Sequence, residues 1–155
     1  MPEDPTGTVP TLVSLLICDQ VIDDKLSNKK SAIGLFNMIL VNQMPTQINS
    51  MTVLASLTEI RGRSAVELRL VRDADNLVIF STKGHVEAPN PLATVDLVFA
   101  MQGVRLSDAG QYAFELLADM EMLGRRRFQI ILRPPGAPAP PEAGPGPPPT
   151  PPTVL

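Results

Sequence analysis

Cysteine is almost missing from this chain of 155 residues: Cys18 stands alone, which excludes an intramolecular disulfide and fits a reducing compartment. Tryptophan is absent, and Tyr112 and five phenylalanines are the only aromatics, so the core has to be built mainly from Leu, Ile, Val and Met. Histidine occurs once, as His85. Zinc needs three or four Cys, His or carboxylate ligands at suitable spacing, and one distant Cys and one His do not supply them. Glycine-rich phosphate loops are also lacking, since Gly62 and Gly103 stand isolated and open no helix. Long apolar runs are missing too. The stretch from Leu12 to Cys18 is seven residues, too short to span a bilayer. No Lys or Arg precedes Lys25, while Glu3 and Asp4 are acidic, so the positive start of a signal peptide is not there. Lipid attachment at Cys18 would want small residues before it, and Leu16 and Ile17 stand there instead. These features predict a soluble cytoplasmic protein with no membrane contact.

Charge of one sign is not in excess. Thirteen basic residues against 16 acidic ones give a formal net charge of −3, which argues against nucleic-acid binding. Arg125, Arg126 and Arg127 form the one local basic cluster, and a solvated strand accounts for them.

What the chain does have is a period of two. Met51, Val53, Ala55 and Leu57 alternate with polar residues, as do Val66, Leu68 and Leu70, then Val95, Leu97, Phe99 and Met101. Tyr112, Phe114 and Leu116 repeat the pattern, and so do Phe128, Ile130 and Leu132. Each is a strand with one face in a core and one toward water. Leu12 to Cys18 and Ala32 to Val41 are apolar on both faces, the pattern of central strands or strands covered on both sides. Turn chemistry fills the gaps at Ser27-Asn28, Asp73-Ala74-Asp75-Asn76, Pro89-Asn90-Pro91 and Asp119-Met120-Glu121. No window carries a capped amphipathic helix. The expected fold is all-β, a two-sheet antiparallel β-sandwich, immunoglobulin-like or C2-like, over residues 11–133.

Residues 134–155 differ in kind. Eleven of the 17 prolines fall between Pro134 and Pro152, and Glu142 is the one charged side chain. Such a segment cannot bury enough apolar area to offset the entropy of ordering it, so a disordered proline-rich tail is expected. Pro138-Ala139-Pro140-Pro141 and the Pro147–Pro152 run offer polyproline ligands, and Thr153-Val154-Leu155 a peptide for strand addition; a flexible spacer is the simpler expectation.

Two stretches carry resemblances. Ile17 to Phe36 resembles the opening of a bacterial family of small uncharacterised domains, in which a strand ends in Cys-Asp and a Lys-x-Ser-x-Ile-Gly-x-Phe strand follows. Here Cys18 and Asp19 stand at the first motif, and Lys29, Ser31, Ile33, Gly34 and Phe36 make up the second, with Lys30 inside it. The resemblance implies a β-sandwich and brings no known activity or catalytic residue. Leu106 to Phe114 resembles the Asp-x-Gly-x-Tyr corner of immunoglobulin-like domains, with Asp108, Gly110 and Tyr112 at the matching positions. Where an antibody domain has cysteine two residues after the tyrosine, Phe114 stands, so the corner implies architecture and a structural role for these three residues.

No catalytic, cofactor-binding or metal-binding residue is nominated. His85 has no G-x-S-x-G nucleophile to serve, and Cys18 sits in an apolar strand. Asp19, Asp23, Asp24, Asp73, Asp75 and Asp108 all fall at strand ends, where β-sandwiches can gather oxygen ligands for calcium, but turn chemistry accounts for them more simply. The function expected is therefore a non-catalytic binding or structural module without a cofactor, its partner a protein. The alternatives are a calcium-dependent or surface-displayed adhesion module, and an enzyme whose site is assembled from dispersed aspartates and His85.

Overall fold

A computed structural model describes residues 9–134 and residue 136 of the chain. Among them run nine strands and no helix: β1 (Thr11–Asp24), β2 (Lys29–Leu35), β3 (Met38–Val41), β4 (Thr46–Thr58), β5 (Arg63–Arg72), β6 (Leu77–Glu87), β7 (Val95–Leu106), β8 (Gly110–Ala118) and β9 (Glu121–Leu132). A four-stranded sheet in the order β2-β1-β4-β7 faces a five-stranded sheet in the order β3-β9-β8-β5-β6. Every pairing is antiparallel except β3 with β9, which is parallel. The architecture is a two-sheet β-sandwich that does not close into a barrel. Most of the segment 134–155 lies outside the described residues, and with it the proline motifs and Thr153-Val154-Leu155.

The alternating residues meet between the sheets. Ile17, Met51, Val53 and Leu57 come from the four-stranded sheet, and Leu68, Leu70, Phe114, Leu116 and Ile130 from the other, all fully buried. Phe128 centres the few aromatic rings: it stacks on Tyr112 at 5.8 Å and on Phe114 at 5.5 Å, and Phe36 meets it edge-on at 6.5 Å.

β1 is a central strand, flanked by β2 and β4. Ala32 to Val41 is not, and here the sequence expectation is corrected. The chain runs through this segment along the edge of one sheet as β2, crosses at Phe36-Asn37, and continues along the edge of the other as β3. Ile33, Leu35, Met38 and Leu40 are between 40% and 60% exposed. A run apolar on both faces reads as covered, yet only Phe36 and Ile39 of this stretch reach the core margin, together with buried Val41.

Turns form where Asp and Asn can hold them. Asp24 accepts from the amide of Leu26 at 2.9 Å and the Ser27 hydroxyl at 2.7 Å, and Asn28 takes positive φ to start β2. Asn76 does the same at the entry to β6. The β8–β9 hairpin turns on Asp119 and Met120, with φ of 47° and 69°, the left-handed pair that matches the twist of a two-residue hairpin.

Candidate functional site

The strand directions put four connections at one end of the sandwich: residues 25–28, 42–45, 73–76 and 107–109. Asp23, Asp24, Asp73, Asp75 and Asp108 all lie at that end, and Asp19 lies inside β1. They are not gathered into one site. Asp23 pairs with Lys25 at 3.1 Å and Lys30 at 3.9 Å, and Asp24 caps its own turn. Asp73 is held by Arg125 and, at 3.7 Å, by Arg127. Among the described residues, no group of three or more His, Cys, Asp or Glu side chains is placed to hold a metal ion.

Asp75 and Asp108 belong to the corner. Gly110 opens β8 at a φ of 133°, which L side chains avoid, and Tyr112 follows with its ring buried and its hydroxyl donating to the Asp108 carbonyl at 2.5 Å. Outside the ring, Arg72 donates to both oxygens of Asp75, at 3.0 and 2.6 Å, and to Asp108 at 2.7 Å. The guanidinium holds the Asp75 carboxyl down at about 2, and burial pushes the Tyr112 phenol up. A hollow of about 340 Å³ lies over this clamp. Its cation bridges the carboxylates of Asp75 and Asp108, which stand on two different connections. Asp108, Gly110 and Tyr112 stand together at this turn, with the Tyr112 hydroxyl on the Asp108 carbonyl.

His85 stands on the edge strand β6 opposite Ala65, exposed, near the other end of the sandwich. The cleft beside it is lined by Glu67, Lys83, Leu117 and Met120, with no aspartate among the lining residues. Cys18 is fully buried, its thiol directed at the carbonyls of Gln20 and Thr52, and burial before all else raises its pKa.

The two outer faces of the sandwich contrast. On the five-stranded sheet, Arg125, Glu115 and Arg69 lie side by side across three strands. Arg125 pairs with Glu115 at 3.6 Å, and Arg69 pairs with Glu67 at 3.0 Å. The outer face of the four-stranded sheet is built from Leu35-Cys18-Thr52-Ala100, Leu16-Leu54-Val98 and Ser14-Ser56-Asp96, three rows of paired residues that share a side. Asp96 is the one charge in these rows, and Ser56 donates to it at 2.6 Å. Val13, Leu35 and Val98 are 59%, 60% and 42% exposed on or beside them, while Cys18, Thr52 and Leu54 in the middle of the rows are buried. The alternation along any one strand does not reveal this face. Its signal lies in the alternate, non-core positions of three strands, which carry Ser, Thr, Leu, Val and Ala where β5 and β9 carry Arg and Glu.

Fold and surface together define an all-β sandwich domain with one charged and one nearly uncharged outer face. The chain belongs to a family of unknown function, DUF6941, whose match covers residues 13–131 and so takes in every strand but the outermost residues of β1 and β9. No curated protein matches the chain.

Proposed function

We propose that this domain is a non-catalytic binding module, acting in the cytoplasm, that takes a protein partner on the outer face of its four-stranded sheet. The observation that carries this reading is the contrast between the two outer faces. Side chains that keep a sheet face in water are charged, as on β5, β8 and β9, whereas an exposed apolar patch rimmed by polar groups marks an interface. Supporting it, Asp23, Asp24, Asp73, Asp75 and Asp108 lie at the end of the sandwich away from His85, and they are engaged by Arg, Lys and turn amides. The single reduced cysteine fits the cytoplasm. We further read the sandwich as immunoglobulin-like rather than C2-like, on the strength of the tyrosine corner, and the Lys29-to-Phe36 motif as the opening signature of its family, with a bacterial source.

Paired substitutions on the face test the function. Val98→Asp with Leu35→Asp puts two charges onto exposed positions, and circular dichroism checks that the fold survives. Quantitative affinity capture from the native cell extract is expected to lose specific proteins relative to the parent chain. Identical protein sets from both would overturn the docking surface. Calcium provides the arm for the adhesion alternative. A site present only in the folded state would add about 2.7 kcal/mol at a hundredfold excess over its dissociation constant, and none is expected.

A further inference from the structure

Among the described residues the sandwich has four edges, and three of them carry devices that keep other strands away. β2 begins with Lys29 and Lys30, β3 is four residues long, and β6 carries Lys83, His85 and Glu87. β7 is different. It runs for 12 residues at the edge of the four-stranded sheet, and from Leu97 to Val104 it has neither a charge nor a proline. Its charges, Asp96 and Arg105, stand near the two ends, and Arg105 makes no ion pair among the described residues. Beside β7, on the open side of the sandwich, a cleft of about 420 Å³ is lined by Ile79 and Phe80 of β6 and by Met101 and Val104 of β7.

We propose that β7 is the seam along which two copies of this chain pair antiparallel, about a twofold axis at Ala100, joining their four-stranded sheets into one. The register follows from which residues face out. Asp96, Val98, Ala100 and Gln102 are exposed, and Phe99 and Met101 point to the core. At Gly103, with a φ of 67°, the in-and-out alternation of β7 changes phase while its register with β4 holds, so that Val104 is buried and Arg105 is exposed. With Ala100 opposite the partner's Ala100, Phe99 meets the partner's Met101 on the core side, and Val98 meets the partner's Gln102 outside. Asp96 therefore comes beside the partner's Arg105, on the same outer side and one position along, once on each side of the axis. The charges that bracket the edge are complementary to a second copy in reversed direction, and Ser56 already holds the Asp96 carboxylate in place. The apolar cleft beside the seam receives the partner's Phe99 and Leu97, side chains that a lone copy leaves at its margin.

The proposal goes beyond the partner-binding reading and fails independently of it. Sedimentation velocity of the full chain from roughly 1 to 100 µM is expected to show a concentration-dependent dimer. Asp96→Lys and Arg105→Glu each set like charges against one another and are expected to weaken the dimer about tenfold or more. The double variant exchanges the two charges and restores it. Ala100→Cys is expected to link two copies by a disulfide under a mild oxidant, since facing positions of paired strands lie within disulfide reach. Ser81→Cys on β6 is not. The substituted positions are exposed, and circular dichroism confirms that each variant is folded. A parent chain monomeric throughout this range overturns the proposal. So does a dimer indifferent to the charge reversals, or one that Ser81→Cys links as readily as Ala100→Cys. A monomer whose β7 amides gain protection only when a foreign peptide is added overturns it in favour of strand addition by another protein.

Discussion

Tyr112 and Asp108 close a loop of the chain on themselves: the phenol of one donates to the backbone carbonyl of the other at 2.5 Å, while its ring is buried against Phe128. The bond spans the crossing from β7 to β8 and so fixes how one sheet hands the chain to the other. Tyr112→Phe keeps the ring and leaves the Asp108 carbonyl without this donor, and is expected to cost about 1 to 2 kcal/mol. Tyr112→Ala removes ring and bond and is expected to cost about 3 to 5 kcal/mol, a large share of a domain's stability. Urea midpoints check both values, and unshifted midpoints would remove the corner's structural role.

The same residue reports on alkali. Tyr112 is the only tyrosine and there is no tryptophan, so the tyrosinate absorbance of the chain is that of one side chain. Burial holds its folded pKa above the ordinary value of about 10. A raised pKa stabilises the fold fully below the unfolded value, and that contribution is lost as the pH rises through the folded one. The expected result is tyrosinate absorbance rising at higher pH in the native protein than in urea, with stability falling over the same interval. Coincident titration curves would contradict the burial.

Cys18 gives a second single-site probe. Its thiol is fully buried in β1 with a raised pKa, so little thiolate forms and reagent cannot reach it. Labelling by an aromatic disulfide reagent at neutral pH is expected to be negligible in the native state. It is expected to follow the unfolding curve as urea is added, and rapid labelling in buffer alone would refute this placement.

Gly34 is required by its conformation and by its neighbour. Its φ is 72°, and a β-carbon there would run into the carboxylate of Asp19. Gly34→Ala is expected to destabilise by about 1 to 3 kcal/mol. Adding Asp19→Ala relieves the collision and leaves the backbone strain, so the double variant is expected to recover part of the loss. A double variant no more stable than Gly34→Ala alone would show that the collision contributes nothing.

The sequence made the sandwich legible where its period of two was unbroken. β4, β5, β7, β8 and β9 stand where the alternation put them, and the turns at Ser27-Asn28 and Asp73–Asn76 sit where Asp and Asn can bond the local backbone. The pattern failed at Ala32–Val41, because hydrophobicity alone cannot distinguish a covered strand from an exposed edge that changes sheets. The corner was visible as spacing, but its outer clamp was not. Arg72 lies on β5, and only folding brings it to Asp108. The uncharged face stayed hidden for a similar reason, since Leu16, Leu54 and Val98 belong to three strands and become a surface only when those strands align.

The parallel pairing of β3 with β9 has a consequence for how the protein is made. Met38 lies beside Gln129, so strands separated by roughly ninety residues must meet, a slow kind of contact to form. β9 also brings Phe128, the ring on which Tyr112, Phe114 and Phe36 converge. During synthesis β3 has no hydrogen-bonding neighbour, and those three rings no common partner, until the last strand has cleared the ribosome. A nascent chain stalled before residue 121 therefore exposes β8 as a bare apolar edge, and in the cell that is the interval in which a chaperone has something to hold.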